Sequence, residues 1–223
     1  MKRGNLYIVA TPIGNLKDIT FRAVETLKEV DLIVCEDTRQ TKKLLNHYGI
    51  KKPLLSFHQH SSEKKIEDLM NRIKKGESIA YVSDAGTPNI SDPGGKLVEA
   101  AFESGIKTIP IPGPSALTAL ISVSGIKMDQ FCFIGFIPHK KGRQTIYKRI
   151  KESKTPIVFY ESSHRIKKTL SALNEIIPKR EIIIGRELTK MFETIYRGEI
   201  NIINQEFEKQ EKVKGELVVI INI

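Results

Sequence analysis

The sequence has only two cysteines, Cys35 and Cys132, set far apart in hydrophobic runs. Such a pair builds no disulfide framework and reads as two buried free thiols in a reducing compartment. Cys-x-x-Cys and paired-histidine spacings are missing, so no metal site is expected. The N-terminus lacks the apolar core of a signal peptide. The most apolar long stretch, residues 109–123, is interrupted by three prolines, Gly113, two serines and Thr118, so no membrane span is expected. These absences together predict a cytoplasmic protein. Gly-x-Gly-x-x-Gly and Gly-x-x-x-x-Gly-Lys-Ser/Thr do not occur, which counts against a dinucleotide fold and a P-loop enzyme. Low-complexity segments and long repeats are also missing.

What is present is a chain of 223 residues, 40% hydrophobic. A chain of this size buries roughly 70% of its unfolded surface, enough for one large or two small domains. Lys and Arg number 36 against 26 Asp and Glu, a formal charge of +10, and the sequence pI is near 9.5. That surplus attracts polyanions: nucleic acid, anionic membrane or phosphorylated metabolites.

Short apolar runs alternate with amphipathic segments. Strands are predicted at 6–10, 32–35, 54–57, 79–82 and 107–111, and helices at 20–29, 38–48, 61–74 and 93–103. This alternation predicts an α/β fold with a parallel sheet covered on both faces. The second half begins alike, with strands at 131–136 and 157–160 and helices at 143–151 and 164–176. Strands then follow closely at 181–187, 193–196 and 216–221, which predicts a mixed sheet with antiparallel pairs. The Pro/Gly-rich segment 109–114 is the best candidate hinge. It divides the chain into α/β domains at 1–113 and 114–223.

Several strand ends carry candidate chemistry. Thr11-Pro12-Ile13-Gly14-Asn15 follows the first strand, where open α/β sheets bind ligands, and serves equally as an ordinary turn. Residues 82–95 form a long loop of small residues in which Ala85 and Gly86 allow a ligand close to the backbone. Asp92-Pro93 is placed there as N-cap and first helical residue. Pro112-Gly113-Pro114-Ser115-Ala116 supplies either a ligand-facing hydroxyl or merely a hinge and cap. Glu36-Asp37-Thr38-Arg39 offers acid/base and phosphate chemistry, or a helix cap with a local ion pair. Tyr160-Glu161-Ser162-Ser163-His164-Arg165 again joins a strand to a helix. His139-Lys140-Lys141-Gly142-Arg143 is a basic loop able to hold RNA phosphates. Arg186-Glu187-Leu188-Thr189-Lys190 mixes charges at a strand end.

These segments, with Phe133-Ile134-Gly135-Phe136 and Lys214-Gly215-Glu216, occur in order over nearly the whole chain. Together they resemble the tetrapyrrole-methylase superfamily (class III methyltransferases), and most closely its ribosomal RNA small-subunit methyltransferase I subfamily. The branch that acts on tetrapyrroles reads like Gly-x-Gly-Pro-Gly in the first loop and Gly-Asp-Pro in the second. Here Ile13-Gly14-Asn15 and Gly86-Thr87-Pro88 stand instead, which counts against siroheme- or cobalamin-pathway methylation. A non-catalytic RNA-binding or assembly protein is the other alternative. Ser163 stands where the subfamily usually has proline. Longer members carry a C-terminal segment beyond the last strand, and any RNA contacts made there are expected to be absent.

The resemblance implies two α/β domains with an S-adenosylmethionine (SAM) cleft between them, and a homodimer. It implies 2′-O-methylation of a cytidine in the decoding region of small-subunit (16S) ribosomal RNA. It places SAM against Ile13, Gly14, Asp84, Ala85, Gly86, Thr87, Pro88, Ile90, Ser115, Ala116, Tyr160 and Glu161. A ribose hydroxyl is a poor nucleophile and needs a base or a stabilising field. Asp37 is the first candidate base and Glu161 its competitor, with Arg39 and Arg165 holding phosphates or stabilising charge. Lys140, Lys141 and Arg143 are assigned to RNA, and the scheme needs no metal.

Overall fold

Five apolar strands lie in the first half of the chain: β1 (Leu6–Val9), β2 (Leu32–Cys35), β3 (Leu54–Ser56), β4 (Ile79–Val82) and β5 (Thr108–Ile111). All pair in parallel, in the order β3-β2-β4-β1-β5. Successive side chains point to opposite faces. Leu6, Leu32, Val34, Ile79 and Tyr81 thus join one core, and Val9, Ile33, Cys35, Ala80 and Val82 another. Helices cover both. Helix α1 (Phe21–Glu29) brings Ala23 and Leu27, and α2 (Thr38–His47) brings Leu45, to the second core. Helix α3 (Glu63–Lys74) brings Leu69 and Ile73, and α4 (Gly95–Glu103) brings Leu97 and Ala101, to the first. Each large buried aliphatic side chain contributes about 1.5–3 kcal/mol. Thr20, Asp37 and Ser62 cap α1, α2 and α3 by accepting from backbone N–H groups. Pro110 lies in β5 at the sheet edge, where a missing N–H costs no ladder bond.

The computed structural model describes residues 4–223, and its two units meet in sequence between Ser115 and Ala116, close to the proline-rich boundary. The second unit contains α5 (Ala116–Val123), β6 (Cys132–Phe136), α6 (Arg143–Glu152), β7 (Ile157–Ser162) and α7 (Ile166–Ile176). It continues with β8 (Glu181–Arg186), β9 (Thr194–Glu199), α8 (Ile200–Lys209) and β10 (Glu216–Ile221). Its sheet runs β6-β7-β10-β8-β9 and is mixed: β6 and β7 are parallel, and the other pairs are antiparallel. One face packs on Tyr147, Ile150, Leu170, Leu173, Ile203 and Phe207 from α6, α7 and α8. On Gly185 an added Cβ would lie 2.9 Å from Leu120 of α5.

Some expectations change. Cys132 is only partly buried. Strand β7 runs two residues further than expected, to Ser162, and α7 starts at Ile166 rather than His164. Helix α4 starts at Gly95 with Gly94 as cap, because the Asp92 carboxylate is used within the loop instead. Helix α8 was not foreseen. Among the described residues no helix is long and apolar enough to cross a membrane, and no cluster of His, Cys, Asp or Glu is arranged to hold a metal ion.

Candidate active site

Parallel strands bring all their carboxyl ends to one edge of the first unit's sheet, where such sheets bind ligands. The loops after β1, β4 and β5 are tied together there. Thr11 and Gly86 exchange two backbone hydrogen bonds of 2.9 and 3.0 Å. The Thr11 hydroxyl donates to the Ser83 carbonyl at 3.1 Å, and the Ser83 hydroxyl to that of Gly86 at 3.2 Å. The Thr87 hydroxyl donates to the Pro114 carbonyl at 3.0 Å. Gly86 has φ +80°, a conformation that disfavours a side chain, and an added Cβ would lie 3.3 Å from Ile13 Cγ2. Ile13, Gly86 and Pro88 are buried in this knot, while Gly14, Asp84 and Ala85 stay exposed on it.

The loop 83–94 is held in an unusual conformation. Asn89 and Ser91 have φ of +71° and +67°, uncommon for residues with a side chain. Asp92 Oδ1 accepts from the Asn89 and Gly94 N–H groups at 2.8 and 3.1 Å. Gly94 is obligatory, since a Cβ there would lie 2.4 Å from the Tyr81 ring.

The loop after β2 joins the same edge. The Asp37 N–H donates to Asp84 Oδ1 at 3.0 Å, and the Asp84 N–H donates to the Glu36 carboxylate. Burial, then the Asp92 and Asp84 carboxylates, push Glu36 up to about 7. Asp37 goes the other way. Its Oδ1 caps the Arg39 N–H at 2.8 Å, and both oxygens accept from the Arg39 guanidinium. Those bonds hold it down to about 2. The cap and ion pair expected as one reading of Glu36 to Arg39 is therefore what the chain forms. Its pairing with Arg39 counts against Asp37 as the base. Arg39 is spent largely on Asp37, although its side chain remains 87% exposed.

In the second unit the strand extension moves Glu161 inward. Phe159 and Glu161 share one face of β7, and both are buried. Glu161 Oε1 accepts from the Ser162 N–H at 2.8 Å and pairs with Arg165 at 2.7 Å. Its Oε2 accepts from the Thr169 hydroxyl at 2.7 Å. Thr169 accepts in turn from Arg143, whose Nε donates to the Tyr147 hydroxyl at 2.7 Å. Arg165 also donates to the Ile137 carbonyl at 2.8 Å and the Ser162 hydroxyl at 3.1 Å. This network corrects three assignments. The Glu161 side chain is wholly buried and fully engaged, so it is not a base. Arg165 is committed to Glu161 and the backbone. Arg143 is buried and cannot grip RNA phosphates. Lys140 and Lys141 are exposed. Tyr160 sits beside Glu161 on β7 with its ring 5.0 and 5.4 Å from those of Phe133 and Phe136.

A family model for tetrapyrrole (corrin/porphyrin) methylases matches residues 5–203. The chain belongs to the tetrapyrrole methylase family, in its small-subunit ribosomal RNA methyltransferase I group. It is 48% identical to the "Ribosomal RNA small subunit methyltransferase I" of Thermotoga maritima over 219 residues, 98% of each chain. It is 48% identical to the protein of the same name in Haemophilus influenzae over 98% of this chain and 78% of that one. Solved structures show the fold without close sequence similarity. A diphthine synthase gives a TM-score of 0.77 at 14% identity, covering 98% of this chain and 90% of that one. A cobalt precorrin-4 methyltransferase gives 0.71 at 15%, covering 97% and 94%. Within this methylase fold, Glu36 was named only as part of the Glu36 to Arg39 motif, in which Asp37 was taken as base, and Tyr81 was not singled out. The signal for Glu36 was its place directly after a wholly buried strand; for Tyr81 there was none, because it looks like any core aromatic.

Proposed function

We propose that this protein is a SAM-dependent methyltransferase of small-subunit ribosomal RNA that transfers the methyl to a cytidine 2′-oxygen in the decoding region. The observation that carries this reading is the 48% identity across nearly the whole of both chains with a relative of that name. The residues at the sheet edge fit the cofactor. Ala85 is exposed at that edge, and the knot of loops through Gly86 holds the surface around it in place. Ile13, Gly14, Asp84, Ala85, Gly86, Thr87, Pro88, Ile90 and Ser115 of the first unit would hold SAM. When bound, SAM supplies a methyl group on a positively charged sulfur. The chain's own task is to orient that methyl, exclude water and accept a proton from the ribose hydroxyl. RNA would be held by the basic surface, with Lys140 and Lys141 in its exposed loop. We place the enzyme in the cytoplasm as a homodimer.

The test is incubation with methyl-labelled SAM and small ribosomal subunits, naked ribosomal RNA or uroporphyrinogen. Label in RNA that makes one linkage resistant to alkali is the expected result. Label in the pigment, or in neither acceptor, refutes the reading. Lys140→Ala/Lys141→Ala should flatten the salt dependence of RNA binding by about 1–2 in log–log slope; an unchanged slope removes that loop from the interface.

A further inference from the structure

We propose that Glu36 is the catalytic residue that accepts the proton of the methylated hydroxyl. The inference rests on the ribose-methylating reading above. Three carboxyl groups, Glu36, Asp84 and Asp92, gather at the carboxyl ends of β2 and β4, and the Tyr81 phenol belongs to the same group. Tyr81 is 0% exposed, its hydroxyl has no hydrogen-bond partner among the described residues, and it lies in the field of all three carboxylates. A buried donor left unpaired is costly and marks a place where one more polar atom is received.

Glu36 is the member of this group fitted to move a proton. The Asp84 N–H fixes its carboxylate against the loop that carries the cofactor residues, and the Asp37 N–H returns a bond to Asp84. The two bonds tie the loop after β2 to Asp84 in the loop after β4. Its other neighbours oppose its charge: Asp92 and Asp84 are acidic, and the Arg39 guanidinium pairs with Asp37. Asp37 and Glu161 lack this freedom, since both are saturated by arginine and hydrogen bonds. Burial with like charges places Glu36 near 7, where an acid combines adequate basicity with a deprotonated fraction at working pH. In the step, the ribose O–H bond breaks and its proton passes to a Glu36 oxygen. The ribose oxygen forms its bond to the methyl carbon, and the carbon–sulfur bond breaks with its electron pair remaining on sulfur.

Glu36→Gln keeps a carbonyl oxygen for the Asp84 N–H and removes only the ability to take the proton. Single-turnover methylation of small subunits should fall about 10²–10⁴-fold, with SAM affinity in calorimetry changed less than about threefold. In the wild type the rate should rise with pH through a limb centred near 7. That limb should persist in Glu36→Asp and vanish from the residual activity of Glu36→Gln. Carbon-13 NMR of carboxyl-labelled glutamate, assigned with Glu36→Gln, should show one resonance titrating near neutrality. A resonance at the ordinary glutamate value, or Glu36→Gln active within threefold, overturns the proposal. The two readings fail separately. A wild type that labels no RNA sinks the ribose reading, whereas the NMR titration judges Glu36 without any RNA.

Discussion

Replacing Arg165 by methionine separates a structural role from a chemical one. In the folded protein the Glu161 carboxylate is wholly buried, and among the described residues Arg165 is its only ionic partner, at 2.7 Å with the arginine side chain 14% exposed. Methionine keeps much of the stem's packing and removes the guanidinium. Glu161 then retains the Ser162 N–H and the Thr169 hydroxyl but loses its charge compensation. Stripping one partner from a buried ion pair costs about 3–5 kcal/mol, a large part of the roughly 5–15 kcal/mol that holds a domain folded. With a urea dependence of roughly 2–3 kcal/mol per M, the unfolding midpoint should move down by about 1–2 M. The double variant Glu161→Gln/Arg165→Met removes both charges and should recover at least about half of that loss. Urea titration followed by circular dichroism measures all three proteins. If Arg165→Met unfolds within about 1 kcal/mol of wild type while methylation disappears, the arginine acts on substrate and the structural argument is wrong.

Two further outcomes follow from the first unit. Gly86→Ala places a side chain at φ +80° and 3.3 Å from Ile13, a cost of about 1–2 kcal/mol. Calorimetry should show a Tm lower by about 2–8 °C together with weaker SAM binding, and an unchanged Tm would mean that the loop knot is loose. Glu36→Gln should stabilise the protein at alkaline pH. Folding raises the Glu36 pKa from 4.5 to about 7, so the folded state keeps a proton that the unfolded state releases, and stability declines as pH rises between those values. With allowance for partial exposure, the variant should exceed wild type by about 1–3 kcal/mol at pH 8 and match it at pH 4. Equal stability at pH 8 would show that Glu36 is not perturbed.

Strands with both faces buried announce themselves as continuous apolar runs, which is why β1, β2 and β4 were legible. The cap after β2 was one of two readings of Glu36 to Arg39, whereas Thr20 was read as helical and instead caps α1. Asp92-Pro93 misled for a physical reason: the same carboxylate can cap a helix or bridge its own loop, and here it bridges Asn89 and Gly94. Helix α8 has Ile200, Ile203 and Phe207 on one face, yet its first turn lacks a side-chain cap and nothing marked its start. Glu161, Arg165 and Arg143 were read as site charges because one sequence shows charge without showing partners. Two more residues of strand were enough to turn Glu161 into the core. The loops lining the sheet edge were identifiable by their small residues, whereas the perturbed acid among them depended on the ends of β2 and β4 meeting.

The place of β10 in the second sheet bears on how the chain acquires its structure during synthesis. This strand lies between β7 and β8 and pairs with both, although it follows them in sequence. Until it leaves the ribosome the second sheet exists only as two separate pairs, β6-β7 and β8-β9, with unpaired edges open to wrong partners. The first sheet waits in the same way on β4, which lies between β2 and β1, but all its strands precede Ser115 and leave the ribosome earlier. Synthesis therefore delivers a finished platform first and leaves the other half waiting on one late strand, the interval in which a chaperone or a slow codon would matter most.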